Sequence, residues 1–158
     1  MTALLPVAQE VRRGGAVRGT DDTLALTYED RFLRRKVLTT TSGLRVLVDL
    51  PHASSLDAGD ALPLDDGRLI GVEALAEPLF SVRGPDLARL AWHIGNRHTP
   101  CQICGDHLLI QQDEVIGHML SHLGASVTRV MAPFTPEGGA YGHGRTHAHA
   151  HGHTAHDH

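Results

Sequence analysis

The chain is poor in aromatic residues, with three Phe, two Tyr and one Trp among 158 residues, so it lacks the stacking platforms on which single-stranded nucleic acids are held. Cationic charge is scarce as well. Lys and Arg total 14 against 18 Asp and Glu, a formal net charge of -4, which is the wrong balance for a general nucleic-acid binder. There are only two cysteines, Cys101 and Cys104, where a secreted disulfide scaffold carries several well-separated pairs. No run approaches the ~20 apolar residues of a membrane span, and Met1 to Arg13 has no apolar core of signal-peptide length. A cytoplasmic protein in a reducing compartment, with neither membrane nor nucleic acid as partner, is therefore expected. Phosphate-cradling glycine loops, a GxSxG elbow and a convincing nucleophile set are missing too. What the chain has in excess is histidine: 13 residues.

Residues 1–75 alternate short apolar or β-branched runs with turn residues: Leu24 to Tyr28, Lys36 to Thr41, Leu44 to Leu50 and Leu69 to Leu75. This pattern predicts a small all-β domain, with turns at Ser42-Gly43 and Asp65-Asp66-Gly67, where glycine can take positive φ. The cluster Arg31, Arg34, Arg35 and Lys36 is either a solvated basic face or a docking patch.

Residues 76–135 follow a different grammar. The apolar run at Leu79 to Val82 predicts a strand. Gly84-Pro85-Asp86 then reads as a helix start with proline at the first position. Leu87, Leu90, Ala91 and Ile94 recur at the offsets of one buried helical face, with Gly95 as the stop. Cys101 to Cys104 and Leu108 to Gln112 predict a hairpin. Asp113 caps a second helix on Ile116, Met119, Leu120 and Leu123, closed by Gly124, and Ser126 to Met131 is a final strand. The order strand, helix, strand, strand, helix, strand predicts a ferredoxin-like βαββαβ domain, and the whole chain an α+β fold. Residues 136–158 lack apolar periodicity and predict a disordered tail.

Seven of the histidines, His143, His147, His149, His151, His153, His156 and His158, lie in that tail, interleaved with Gly, Ala, Thr, Arg and Asp rather than in the continuous run of an expression tag. Neutral imidazole is a borderline ligand for Ni(II), Zn(II) and Cu(II), so the tail is expected to bind divalent metal with modest affinity and poor selectivity. The string His98, Cys101, Cys104, His107 places a possible ligand at every third position, but residues three apart on a strand face opposite ways, and one CxxC is half a zinc pattern. The two cysteines read better as small core residues. His98 lies beyond the helix stop and beside Pro100, where a side chain can project outward. His93 reads as helix surface or partly packed, and His52, next to Pro51, as part of a turn. His118 and His122 are four apart on the second helix, a metal-clamp spacing, yet Met119 stands where a zinc hydrolase needs its glutamate. Their default is a solvent-facing stripe opposite Ile116 and Leu120.

His93-Ile-Gly-Asn-Arg-His98 with Pro100, then Ala132-Pro-Phe134-x-Pro136-Glu137-x-Gly139-Ala140-Tyr141, then a His-rich end, resembles the urease accessory nickel metallochaperones, the UreE family, over the whole chain. The resemblance implies a β domain of peptide-binding type, a ferredoxin-like metal-binding domain and a metal-collecting tail. It also implies a homodimer through the second domain in which His98 of each subunit shares one Ni(II). The implied partners are an accessory GTPase and the urease apoprotein complex, and no catalysis of its own. Some relatives carry histidines where this chain has Gln112 and Glu114, so auxiliary sites there do not transfer, although Glu114 retains a carboxylate. A Ni, Zn or Cu buffer acting through the tail alone is the alternative function.

Overall fold

A computed structural model describes residues 4–14 and 19–138. The chain divides into two compact units, the first ending at Leu75 and the second beginning at Ala76. Among the described residues, mixed sheets and two α-helices make it α+β.

The described residues of the first unit form six strands: β1 (Val7–Ala8), β2 (Asp22–Leu26), β3 (Phe32–Thr39), β4 (Arg45–Ser55), β5 (Ala61–Pro63) and β6 (Leu69–Ala74). They form two three-stranded sheets ordered β1-β4-β3 and β2-β6-β5. The outer pairs β1/β4 and β2/β6 are parallel. Alternate residues of both sheets face one core, in which Leu24, Val46, Val48, Leu62 and Ile70 are fully buried. Gly43 and Gly67 have φ of 97° and 93° and close the turns expected of them.

Two expectations for this unit need correction. Arg31 is not part of a basic surface. It is 2% exposed, its Nε donates to the Leu56 carbonyl and its Nη1 to the Leu26 carbonyl, and its guanidinium lies 5.8 Å from the centroid of the Tyr28 ring. A buried cation satisfied by carbonyls is structural; Arg34, Arg35 and Lys36 stay on the surface. His52 lies in β4 rather than in a turn. The β3/β4 register shifts between Leu33 and Arg35, so that Leu33 pairs with Ser54 and Arg35 with Asp49. Pro51 falls in the irregular stretch, where a missing N–H breaks no ladder bond.

Asp22, at the start of β2, fastens this sheet to the turn joining β3 and β4. Its carboxylate accepts from the hydroxyls of Thr40 and Ser42 and from the backbone N–H of Thr23. The Thr41 N–H adds a bond to the Thr23 carbonyl at 2.8 Å.

The second unit runs β7 (Glu77–Arg83), α1 (Leu87–Asn96), β8 (Gln102–Ile103), β9 (Leu108–Gln111), α2 (Glu114–His122) and β10 (Ser126–Ala132). The sheet order is β10-β7-β9-β8, all antiparallel. Leu90 and Ile94 of α1, with Ile116 and Leu120 of α2, share one core with Phe80, Val82, Leu108 and Ile110. Both helices therefore cover the same sheet face. Gly117 permits the close approach of α2, since a Cβ there would meet the Phe80 ring at 3.1 Å.

Asp86, not Pro85, starts α1: it is the N-cap, its carboxylate accepting from the Arg89 N–H at 3.1 Å. Asp113 caps α2 in the same way, accepting from Val115 and Ile116.

Hydroxyl donors hold Asp22 well below the usual carboxylate range, the Ser42 contribution being largest. A carboxyl with its pKa depressed by folding adds stability that is present above its unfolded pKa of about 4 and fades as pH falls below that value. Asp22→Asn is expected to melt below wild type at neutral pH, with the gap narrowing between about pH 4 and pH 2. Melting curves across that range check this; a gap independent of pH assigns the loss to shape rather than charge.

Candidate metal site

Two contacts close α1. The Thr99 N–H donates to the Ile94 carbonyl at 3.3 Å and the His98 N–H to the Gly95 carbonyl at 2.9 Å. This double bond pattern ends a helix by placing one residue in the left-handed conformation, usually glycine. Here that residue is His98, with φ of 57°, the only non-glycine with positive φ among the described residues. Gly95, expected to end the helix, is still helical.

The left-handed conformation costs an L-residue roughly 1–2 kcal/mol, and such strain persists mainly where function holds it. It turns the side chain away from the helix. His98 is exposed, and no described group hydrogen-bonds its imidazole. Within the same turn, Arg97 reaches α2, its Nε lying 3.2 Å from the Met119 sulfur. Upstream, His93 is half-buried and meets the Trp92 indole edge-on, with centroids 5.0 Å apart.

The segment after β10 also comes to this corner. Gln102 pairs with Leu109, whose neighbours Leu108 and Ile110 face the helices, so Gln102 points to the other sheet face. Its Oε1 accepts from the Thr135 N–H at 2.9 Å, and the Cys101 carbonyl accepts from the Glu137 N–H at 2.9 Å. Residues 133–138 thus run from one edge strand to the other, with Phe134 fully buried. The chain enters its tail three residues from His98.

The other candidates do not gather with His98. Among the described residues no three His, Cys, Asp or Glu side chains gather closely enough to hold a metal ion, so the string from His98 to His107 does not converge. Cys101 and Cys104 are free thiols. Burial, reinforced by Cys104, pushes Cys101 up to about 11, which keeps it protonated and a poor ligand. His107 Nδ1 lies 2.7 Å from Asp106. Asp106 is pulled down to about 2 by His107 first and Arg83 second. Arg129 takes the place of any auxiliary site, donating to Gln112 Oε1 and Glu114 Oε2, each at 2.9 Å. His118 and His122 are exposed on α2. The seven tail histidines from His143 to His158 lie outside the described residues.

The chain thus offers one strained, unbonded imidazole beside the root of a histidine-rich tail. Residues 1–75 match the model for the UreE urease accessory protein N-terminal domain, and residues 77–158 that for its C-terminal domain. The chain belongs to the UreE urease accessory protein family. It is 60% identical over 143 residues to the urease accessory protein UreE of Ruegeria pomeroyi, spanning 90% of this chain and 96% of that protein. Against UreE of Rhodobacter capsulatus it is 55% identical over 144 residues, 91% and 92% of the two chains. UreE of Paracoccus denitrificans is 58% identical over 126 residues, 80% of each. The two UreE models meet at the boundary between the compact units.

Sequence reasoning singled out His98 but missed its conformation, because the stop was assigned to the nearest glycine. Pro100 bounds the helix from beyond, since the residue before a proline is pushed out of the α region, but no residue type marks His98 as the left-handed position. Relief of strain gives a direct test. His98→Gly is expected to raise stability by about 0.5–1 kcal/mol, the left-handed penalty less glycine's added unfolded-state entropy, whereas His98→Ala gives no gain. Urea unfolding of the three proteins measures this, and an unstable His98→Gly variant would count against a strained site.

Proposed function

We propose that this UreE chain is a nickel metallochaperone that binds Ni(II) and delivers it for assembly of the urease active site. In this proposal the second unit is a ferredoxin-like dimerisation domain, and His98 of two copies shares one Ni(II) at the two-fold axis. The tail collects the ion. The recipients are the accessory GTPase and the urease apoprotein complex, all cytoplasmic.

The observation that carries the proposal is His98 held outward in a left-handed turn at a cost in stability. One imidazole cannot retain a metal ion, and no described group of three donors completes a site within one chain. The missing ligands must come from a second copy or from the tail. A symmetric pair has physical logic, since each copy supplies an equal share and metal binding then favours association. Such a site has open positions for water or incoming imidazoles, so metal passes by ligand exchange, which a closed four-ligand site resists.

Chain length permits the tail to take part. From Glu137, tied to Cys101, six residues lead to His143, a reach of up to about 20 Å. His98 lies three residues from Cys101, within about 11 Å. The anchor thus keeps the nearest tail imidazoles within range of His98.

Nothing favours hydrolysis, since Met119, where a catalytic glutamate would stand, is in contact with Arg97. The alternative, a Ni, Zn or Cu buffer, needs only the tail. Titration calorimetry with native mass measurement separates the two on the intact chain, the chain ended at Gly142, and the ended chain with His98→Gly. The expected result is a tightest step of about one Ni(II) per dimer in the second protein, and loss of that step in the third. Loss of all binding with the tail would leave the buffer. Because protons compete for imidazole near a pKa of about 6.5, tail occupancy is expected to fall steeply below about pH 6. Metal retained by the tail at pH 5 in an equilibrium dialysis would contradict imidazole ligation.

A further inference from the structure

The outer face of α2 carries two further imidazoles, at His118 and His122, that the proposal for His98 does not use. Ile116 and Leu120 are buried against the sheet, while both histidines are exposed. Residues four apart on a helix lie one above the other, with Cβ atoms about 6 Å apart, a spacing one metal ion can bridge. The helix is regular through His122, its last residue, so this geometry is fixed before any ion arrives.

Three surrounding features favour a cation there. Neither imidazole is hydrogen-bonded or ion-paired to a described group, whereas His107 is taken by Asp106 at 2.7 Å. The one carboxylate on the same stripe, Glu114, is paired with Arg129 at 2.9 Å, which offsets that positive charge. His122 lies in the last turn of α2, where the helix dipole presents its negative end.

We infer that His118 and His122 form a second metal site, a two-imidazole chelate for a borderline divalent ion such as Ni(II), with water in the remaining positions. Two protein ligands make it weaker and faster to exchange than a site of three or four. It belongs to one chain and needs neither the dimer nor His98, so it stands or falls separately from the interfacial site. Arg97 touches Met119, which lies between the two histidines in sequence, so the pair flanks the point where the His98 turn meets α2. The site suits an ion held briefly on the same layer of the domain.

The test uses the full-length protein with isotope-labelled histidine, titrated with Ni(II) beyond the capacity of the tail while the imidazole signals are followed by NMR. The His118 and His122 signals are expected to broaden together. His118→Gln should raise the Ni(II) concentration needed to broaden His122 at least about tenfold, because the second ligand acts at high effective concentration only within a chelate. His122→Gln should do the same to His118, and His98→Gly should leave the paired broadening in place. Glutamine keeps helix propensity close to optimal, and an unchanged backbone spectrum verifies each fold. If either histidine still broadens at the wild-type concentration after loss of the other, the ion sits on a single imidazole or on a nearby tail, and the chelate is wrong. Absence of broadening at both overturns it equally.

Discussion

The end of α1 is the constraint on which the candidate site depends. Two backbone bonds, from Thr99 to Ile94 and from His98 to Gly95, close the helix only if the residue between helix and loop adopts positive φ. Ile94 is fully buried in the second core, so the carbonyl that receives the closure is held by packing. Asp86 fixes the other end of the same helix. A rigid helix thus delivers its strain to one residue, and that residue is a histidine. Glycine would close the helix more cheaply and contribute no ligand.

The sheet does the rest of the positioning. Its order, β10-β7-β9-β8, puts the final strand at the edge opposite the one from which the chain leaves toward its tail. Residues 133–138 cross about 14 Å of sheet, three strand spacings, and fully buried Phe134 contributes a few kcal/mol to holding them there. The bonds at Thr135 and Glu137 end that crossing at β8 and Cys101. A segment without regular structure gains a defined end point in this way. The chain order alone would have left the tail root at the far edge from Cys101.

Periodicity made the second unit legible. Leu90, Ile94, Ile116 and Leu120 occupy the buried faces their spacing predicts, and Asp113 caps α2 as its residue type requires. Turn chemistry was equally clear at Gly43 and Gly67, where only backbone freedom was at issue. The misses share a cause: tertiary context overrode residue type. Arg31 looks like surface until Leu26, Leu56 and Tyr28 surround it. Pro51 beside His52 looks like a turn until a register shift absorbs it. β1, two residues long, and β5, three residues long, exist because neighbouring strands accept them, and no pattern that short carries a period. The conformation of His98 falls in the same class, set by the closure around it and not by any preference of histidine.

The same context decides which donors are available to a metal. Cys101 is kept as a thiol by burial, Asp106 is held by His107 and Arg83, Glu114 is paired with Arg129, and Asp60, almost fully buried, is bound to Arg13 at 2.8 Å. Each of these would be a harder or softer ligand than imidazole, and each is engaged within the fold. His98, His118 and His122 are left exposed, and the tail adds seven more imidazoles. Such a ligand field favours borderline ions and holds none of them in a closed cage. In the proposed function each exchange along it would replace one imidazole by another, and no step would require a large loss of binding energy. The proposed carrier needs that uniformity, and a storage site does not.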